Sequence, residues 1–270
     1  MAVLPLEGII RHVPIEGYSR MSGYGNSPAV ASNSEPTTST DTCCSVVDPP
    51  GIPEYLHSTY HWAYLSRIGQ RLLDRPIVVA TILWGNDQRL MKAAAAEFNP
   101  GQKILQVACV YGDFSPILAR QVGSEGRLTV IDVAPIQIEN CRRKLVSYPQ
   151  TKLRVADAAA PLAEDVDGIC CFFLLHEVPE EYKTRIVDNL LGMLAPGGKI
   201  VFVDYHRPHA LHPLKGIMAL VFRWLEPFAR ILWDREIVSY TSRANEFDWE
   251  KCTYFGGLYQ KVVGVRRHTP

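Results

Sequence analysis

The stretch Ile104-Leu105-Gln106-Val107-Ala108-Cys109-Val110-Tyr111-Gly112-Asp113-Phe114-Ser115 decides the fold. Its first half is an apolar run suited to a buried strand, Gly112 supplies a turn, and an amphipathic helical pattern runs from Phe114 to Val122. Strand-like runs recur at Leu128–Val133, Leu153–Ala156, Ile169–Leu175 and Ile200–Tyr205, separated by helical stretches. That alternation predicts a parallel, doubly wound α/β sheet whose ligand sits at the carboxyl ends of the strands. Cys252–Val265, with Gly256-Gly257 at its middle, predicts a hairpin that closes the sheet with an antiparallel edge pair.

Outward from this core, the 270 residues are 47% hydrophobic and 21% charged, enough for one large core or a core with a small cap. Residues 1–50, dense in Ser, Thr, Pro, Gly and Asn, predict a disordered tail. Residues 51–100 predict a helical cap. One aromatic-rich helix carries Tyr55, Leu56, Tyr60, Trp62, Ala63, Tyr64, Leu65 and Ile68, and a second ends near Phe98, before Pro100-Gly101. Residues 101–270 hold the sheet, with an apolar helical insertion at about 207–240. Within it Leu214–Trp233 reads as one helix, interrupted by Lys215, Arg223, Glu226 and Arg230.

Lys+Arg and Asp+Glu are equal at 28 each, which supplies no electrostatic footprint for nucleic acid. The seven cysteines form no CxxC pair and no zinc spacing. With Cys109, Cys170 and Cys171 on strands and Cys43 and Cys44 in the tail, they read as thiols of a reducing compartment. No apolar run approaches the roughly 20 residues of a membrane-spanning helix, so the chain is expected not to cross a bilayer. Arg11 and Arg20 are offset by Glu7 and Glu16, which weakens a signal-peptide or transit-peptide reading and leaves the transit peptide open.

The chemistry is carried by strand ends. Asp132 ends the second strand roughly 20 residues past the loop, where a carboxylate accepts the ribose hydroxyls of an adenosyl cofactor; it also reads as the N-cap of the helix from Pro135. Asp157, closing the third strand, is placed to meet the adenine amino group. Leu194-Ala195-Pro196-Gly197-Gly198-Lys199 resembles the turn before the fifth strand of class I methyltransferases, and loop, acid, acid and turn occur in that family's order. Where the family usually has an acid this chain has Gln106, and Ala108 and Val110 replace its first two glycines, leaving Gly112. The resemblance implies a Rossmann-like class I methyltransferase fold: a mostly parallel seven-stranded sheet, a helical N-terminal cap and a helical insertion before the last strands. It also implies S-adenosylmethionine as cofactor, with Gln106, Ala108, Val110, Gly112, Asp132, Asp157 and Leu175 as candidate contacts.

From about Tyr55 to Val265 the chain further resembles the RquA family, which converts ubiquinone to rhodoquinone. The resemblance rests on Ile82-Leu83-Trp84-Gly85-Asn86, Val107–Asp113, Phe172-Phe173-Leu174-Leu175-His176-Glu177-Val178-Pro179 and Phe202-Val203-Asp204-Tyr205-His206-Arg207-Pro208. His212-Pro213-Leu214, Leu225-Glu226-Pro227-Phe228 and Tyr254-Phe255-Gly256-Gly257-Leu258-Tyr259-Gln260 extend it. It implies replacement of a ring methoxy group of ubiquinone by an amino group, with S-adenosylmethionine supplying the nitrogen and a divalent metal such as Mn2+ assisting. Candidate catalytic residues are Tyr111, Asp113, His176 and His206, and candidate metal ligands are His176, Glu177, Asp204 and His206, because imidazole and carboxylate suit manganese and also serve as acid or base. Each has a plainer reading: Asp113 as a helix N-cap, His176 and His206 as hydrogen-bonded cleft wall, His209 and His212 as loop residues. Tyr60, Trp62, Tyr64, Trp84, Phe222, Trp224 and Trp233 fit a quinone channel, and fit a helix-packing core nearly as well.

Two other functions stay open, a conventional methyltransferase acting on a quinone or another lipophilic acceptor, and a non-catalytic protein that binds the cofactor or a quinone. The expected partners are ubiquinone and a membrane surface, with no nucleic acid. Ile217, Leu220, Val221, Trp224, Leu225, Phe228, Ile231 and Leu232 recur at helical spacing, so Leu214–Trp233 is the expected peripheral contact, with Trp224 and Trp233 at the headgroups. The location this implies is cytoplasmic and peripheral on the inner membrane, on the matrix side if mitochondrial.

Overall fold

The computed structural model describes residues 51–268. The disordered tail expected over residues 1–50, with Cys43 and Cys44, lies outside them. Four short helices precede the sheet: α1 (Glu54–Thr59), α2 (Arg67–Leu73), α3 (Pro76–Ile82) and α4 (Asp87–Ala95), with a π-helical turn at His61–Leu65. Two longer helices were the expectation, and the breaks have local causes. Ser66 caps α2 by accepting the Gly69 N–H at 3.4 Å. Pro76 starts α3 at its first turn. Trp84 and Gly85, both with positive φ, end it.

The sheet comprises β1 (Lys103–Val107), β2 (Arg127–Asp132), β3 (Thr151–Val155), β4 (Gly168–Phe172), β5 (Lys199–Tyr205), β6 (Phe247–Tyr254) and β7 (Tyr259–Arg266). Their order is β3-β2-β1-β4-β5-β7-β6. The first five are parallel, and β7 lies antiparallel between β5 and β6. Helices α5 (Phe114–Val122), α6 (Pro135–Lys144), α7 (Glu180–Met193) and α8 (Lys215–Trp224) complete the fold. Every residue of β4 is buried, as a parallel strand covered on both faces requires. Neighbours along a strand enter opposite cores: Val130 and Val201 pack with Leu90, Phe98 and Phe114, whereas Ile131 and Phe202 pack with Ile186 and Leu190.

The helices before the sheet are fastened to it. Glu97 accepts from Lys199 at 3.2 Å and pairs with Lys261, which joins the end of α4 to β5 and β7. Phe98 covers Gly168 so closely that a Cβ there would lie 2.7 Å from Phe98 Cε1. The single helix expected at Leu214–Trp233 is two pieces. Helix α8 stops at Trp224, ahead of Pro227, which lacks an N–H, and a 3-10 turn follows at Arg230–Trp233. Leu232 and Trp233 are buried, while Ile217, Leu220, Trp224 and Leu225 are exposed, so Trp233 is not placed to meet lipid headgroups. No helix among the described residues is long and apolar enough to cross a membrane.

Candidate active site

The strand order reverses between β1 and β4, and a cavity opens there at the carboxyl ends of the strands, as such sheets dictate. It encloses about 1360 Å³ of empty space counted out to its mouth. Val107–Tyr111, Asp132–Ala134, Ala156–Ala158 and Phe172–Leu174 line it from the strand ends, with His176, Glu177, Tyr205 and Glu226 at its far side and Tyr55, Tyr60, Tyr64, Val79 and Leu83 as its roof.

The loop after β1 is held in an unusual backbone conformation. Ala108, at a position where the methyltransferase pattern has glycine, has φ +72°, a region that costs an L-residue roughly 1–2 kcal/mol. Gly112 has φ +83°, and a Cβ there would stand 3.1 Å from Met91 Cε. Its N–H donates to Asp74 at 2.9 Å, its carbonyl accepts from Lys144 at 2.8 Å, and Lys144 and Asn140 also hold Asp74. The end of α2 and one flank of α6 thereby clamp the loop. Gln106, fully buried, donates to Ala108 O at 2.9 Å and Ser115 Oγ at 2.8 Å; it braces the loop from beneath and is not on the cavity wall.

Asp132 accepts the backbone N–H of Cys109 at 2.7 Å and of Ala134 at 2.8 Å, one on each oxygen. It does not cap α6, whose N-cap is Ala134. With one N–H on each oxygen the carboxylate keeps further acceptor capacity, and Asp132 lines the cavity. Burial pushes its carboxyl up to about 6, against the pull of the two N–H donors. Asp157 accepts the Ala159 N–H at 2.8 Å and also lines the cavity.

On the far side, His176 and Glu177 sit on the 3-10 turn after β4, both buried. His176 Nδ1 is 3.0 Å from Asp204 Oδ1, off the line of a good hydrogen bond, and Nε2 is 3.6 Å from Glu177 Oε1. Tyr64 donates to Glu177, and Tyr60 donates to Glu226 at 2.8 Å. Burial alone would lower the imidazole, but Asp204 and Glu177 outweigh it and hold His176 up to about 9. Burial raises Glu177 to about 8, and raises Glu226 as well. The cluster at the far side of the cavity therefore holds its protons more tightly than the same groups do in water. Tyr111 stacks on Tyr64 at 5.4 Å and donates to Ala63 O, which links the loop to the roof.

Among the sequence-derived candidates, Ala108, Val110, Tyr111, Asp132, Asp157, His176 and Glu177 meet at this cavity. Gly112 shapes the loop from outside the wall. Leu175 is buried in the core beneath, and Asp113 is an exposed N-cap of α5 whose side chain caps nothing. The proposed metal set is not assembled. His206 faces away, with Nδ1 2.8 Å from Gly257 O and Nε2 2.9 Å from the Lys251 ammonium, and Asp204 is spent on the N–H groups of Tyr205 and His176. Among the described residues no three His, Cys, Asp or Glu side chains converge with metal-ligand spacing, so these residues do not fit a manganese site. His209 is exposed, and His212 packs on Phe255. Of the aromatic set, Tyr60 and Tyr64 line the cavity, Phe222 and Trp233 pack together at 5.2 Å, and Trp84 and Trp224 are exposed. The Trp62 side chain lies outside the described residues. Glu226 is a cavity acid that the sequence placed in the Leu225–Phe228 stretch of the family resemblance and read as a break in an apolar run, without a role at the site. Its signal was a lone carboxylate between Leu225 and Pro227.

Residues 104–198 match a family model described as "Methyltransferase domain". A 2-phytyl-1,4-naphtoquinone methyltransferase of Thermosynechococcus vestitus is 28% identical over 136 residues, 50% of this chain and 60% of that protein. A demethylmenaquinone methyltransferase of Staphylococcus aureus is 33% identical over 129 residues, 47% of this chain and 52% of that protein. The chain thus spans between half and three-fifths of the length of these curated relatives. An O-methyltransferase family protein from Burkholderia thailandensis superposes with a TM-score of 0.61 at 11% identity, covering 78% of this chain and 64% of that one. The fold is the Rossmann-like class I methyltransferase fold.

Proposed function

We propose that the chain binds S-adenosylmethionine with its ribose on Asp132 and its adenine near Asp157, and acts on the ring of a lipophilic quinone lodged toward His176, Glu177 and Glu226. The observation that carries this reading is the division of one cavity into two halves. An acid with free lone pairs stands at the end of β2, and a proton-storing cluster under an aromatic roof stands at the ends of β4 and β5. The quinone class is supported by the two curated relatives, both quinone methyltransferases by name.

The finer reading is amination of ubiquinone to rhodoquinone. Gln106 is neutral and turned away, so the end of β1 offers no carboxylate to keep the cofactor's α-amino group charged, and a neutral amine has the lone pair needed for attack. Addition of nitrogen to the ring carbon bearing methoxy forms a C–N bond and places negative charge on a ring oxygen. Re-formation of the carbonyl then expels methoxide, which leaves as methanol, and the ring is joined through nitrogen to the cofactor's Cα. Release of the free amino group requires that Cα–N bond to break: the quinone ring takes the two electrons of the Cα–H bond and becomes a hydroquinone, and water completes the cleavage to the amino hydroquinone and a 2-oxo acid. His176 as imidazolium and Glu177 as neutral acid are the groups here that can protonate the ring oxygen and the leaving group. No step is assigned to a metal. Conventional methyl transfer is the second reading, favoured by the methyltransferase names of the matched relatives. Mass analysis of quinone and cofactor products separates the two: amination exchanges methoxy for amino, whereas methylation adds a methyl group and leaves S-adenosylhomocysteine. Cofactor binding without turnover of any quinone would contradict both.

A further inference from the structure

We infer that α2 and α3 form a docking face for an anionic lipid bilayer. Eleven large apolar side chains are exposed among the described residues, and five of them, Ile68, Leu72, Ile77, Ile82 and Trp84, fall on this one short stretch. Ile68 and Ile77 are 81% and 75% exposed, which is far from the behaviour of a packed helix. Arg67, Arg71 and Arg75 recur every four residues on the same stretch and are also exposed. The only carboxylate in residues 67–86, Asp74, is turned inward onto Lys144, Asn140 and the Gly112 N–H, so it does not neutralise that row. A chain of zero net charge thus carries a local row of three cations set among apolar side chains. That combination matches a surface offering phosphate headgroups above acyl chains.

The placement gives the face a use. Leu73, Val79 and Leu83, from the inner side of the same helices, line the cavity, and Ile82 reaches both the cavity and solvent. A lipid-borne ligand could therefore pass from the bilayer into the cavity between these helices without crossing open water. Across the cavity, Tyr205 packs on Phe222 of α8, whose outer side exposes Ile217, Leu220 and Trp224, a second apolar strip beside the same chamber. A second copy of the chain is a poorer occupant. An isologous contact centred on α2 would set the arginine row against its own image. The inference does not depend on which reaction the cavity performs.

Vesicle sedimentation of the full chain tests it, with phosphatidylcholine vesicles and with vesicles that also contain phosphatidylglycerol. The wild type is expected to sediment with the anionic vesicles and to be released by salt. An Arg67→Gln, Arg71→Gln, Arg75→Gln variant should lose affinity on the order of a hundredfold, at about fivefold per arginine. Ile68→Ser with Ile77→Ser should bind weakly to both vesicle types, and Asp132-dependent cofactor binding should persist in each variant as evidence of folding. Where a variant fails to fold, hydrogen exchange on the wild type supplies the reading: anionic vesicles should slow the amides of residues 67–84, and neutral ones should not. The inference is overturned by a wild type that stays in the supernatant, by variants that bind as well as the wild type, or by unchanged exchange at residues 67–84. A concentration-dependent dimer that the Ile68→Ser, Ile77→Ser variant abolishes, without vesicle binding, would overturn it in favour of a protein interface.

Discussion

Asp132 meets the cavity with two backbone N–H bonds already made, which fixes the loop after β1 and leaves acceptor capacity for a bound diol. Asp132→Asn removes the charge and one acceptor, so S-adenosylmethionine affinity should fall by about 1–3 kcal/mol in calorimetry; equal affinity in a folded variant would move the ribose elsewhere. Ala108 is the reverse case, a side chain in a backbone region made for glycine. Ala108→Gly should raise stability to urea by about 1 kcal/mol, and a loss would mean that its methyl group packs usefully. Sequence made Asp132, Asp157, Tyr111, His176 and Glu177 legible because strand ends converge in this fold. It misled at Gln106 and Asp204, whose alternation along β1 and β5 sends them away from the wall that Val107 and Tyr205 line. The Asp74 clamp on Gly112 was illegible, since 38 residues separate the partners and no local pattern links them.

At the level of elements, the parallel strands were readable from apolar runs because both faces of each are buried, and the closing hairpin from its paired glycines. The helices before the sheet were readable as helical but not as four pieces, because their breaks depend on a serine cap, a proline and two positive-φ residues inside a continuous apolar texture. The packing of these helices on the sheet has one tight point, Phe98 over Gly168. Gly168→Ala should therefore cost about 1–3 kcal/mol, from a side chain forced against a buried ring. Chemical denaturation checks this, and a neutral result would show that Phe98 yields freely.

For the molecule as a whole, the buried cluster makes stability depend on pH. Glu177, raised from 4.5 to about 8, and His176, raised from 6.5 to about 9, both bind protons more tightly folded than unfolded. Their contribution is complete at low pH and is lost as pH rises, so the urea midpoint should fall between pH 6.5 and 8, a window below the buried Lys183, itself lowered to about 8 with the opposite effect. Glu177→Gln should flatten that decline, and an unchanged slope would remove Glu177 as its source. The global fold was legible because strand order and crossover direction follow from βαβ alternation, whereas the chemistry depends on where one nitrogen goes. The most direct measurement is therefore incubation of the full chain with ubiquinone and S-adenosylmethionine labelled with heavy nitrogen, run with a chelator and separately with manganese, followed by the mass of the quinone. Amination predicts a product that has lost one methoxy group and carries the heavy nitrogen. Ubiquinone recovered with both methoxy groups and no label would contradict it.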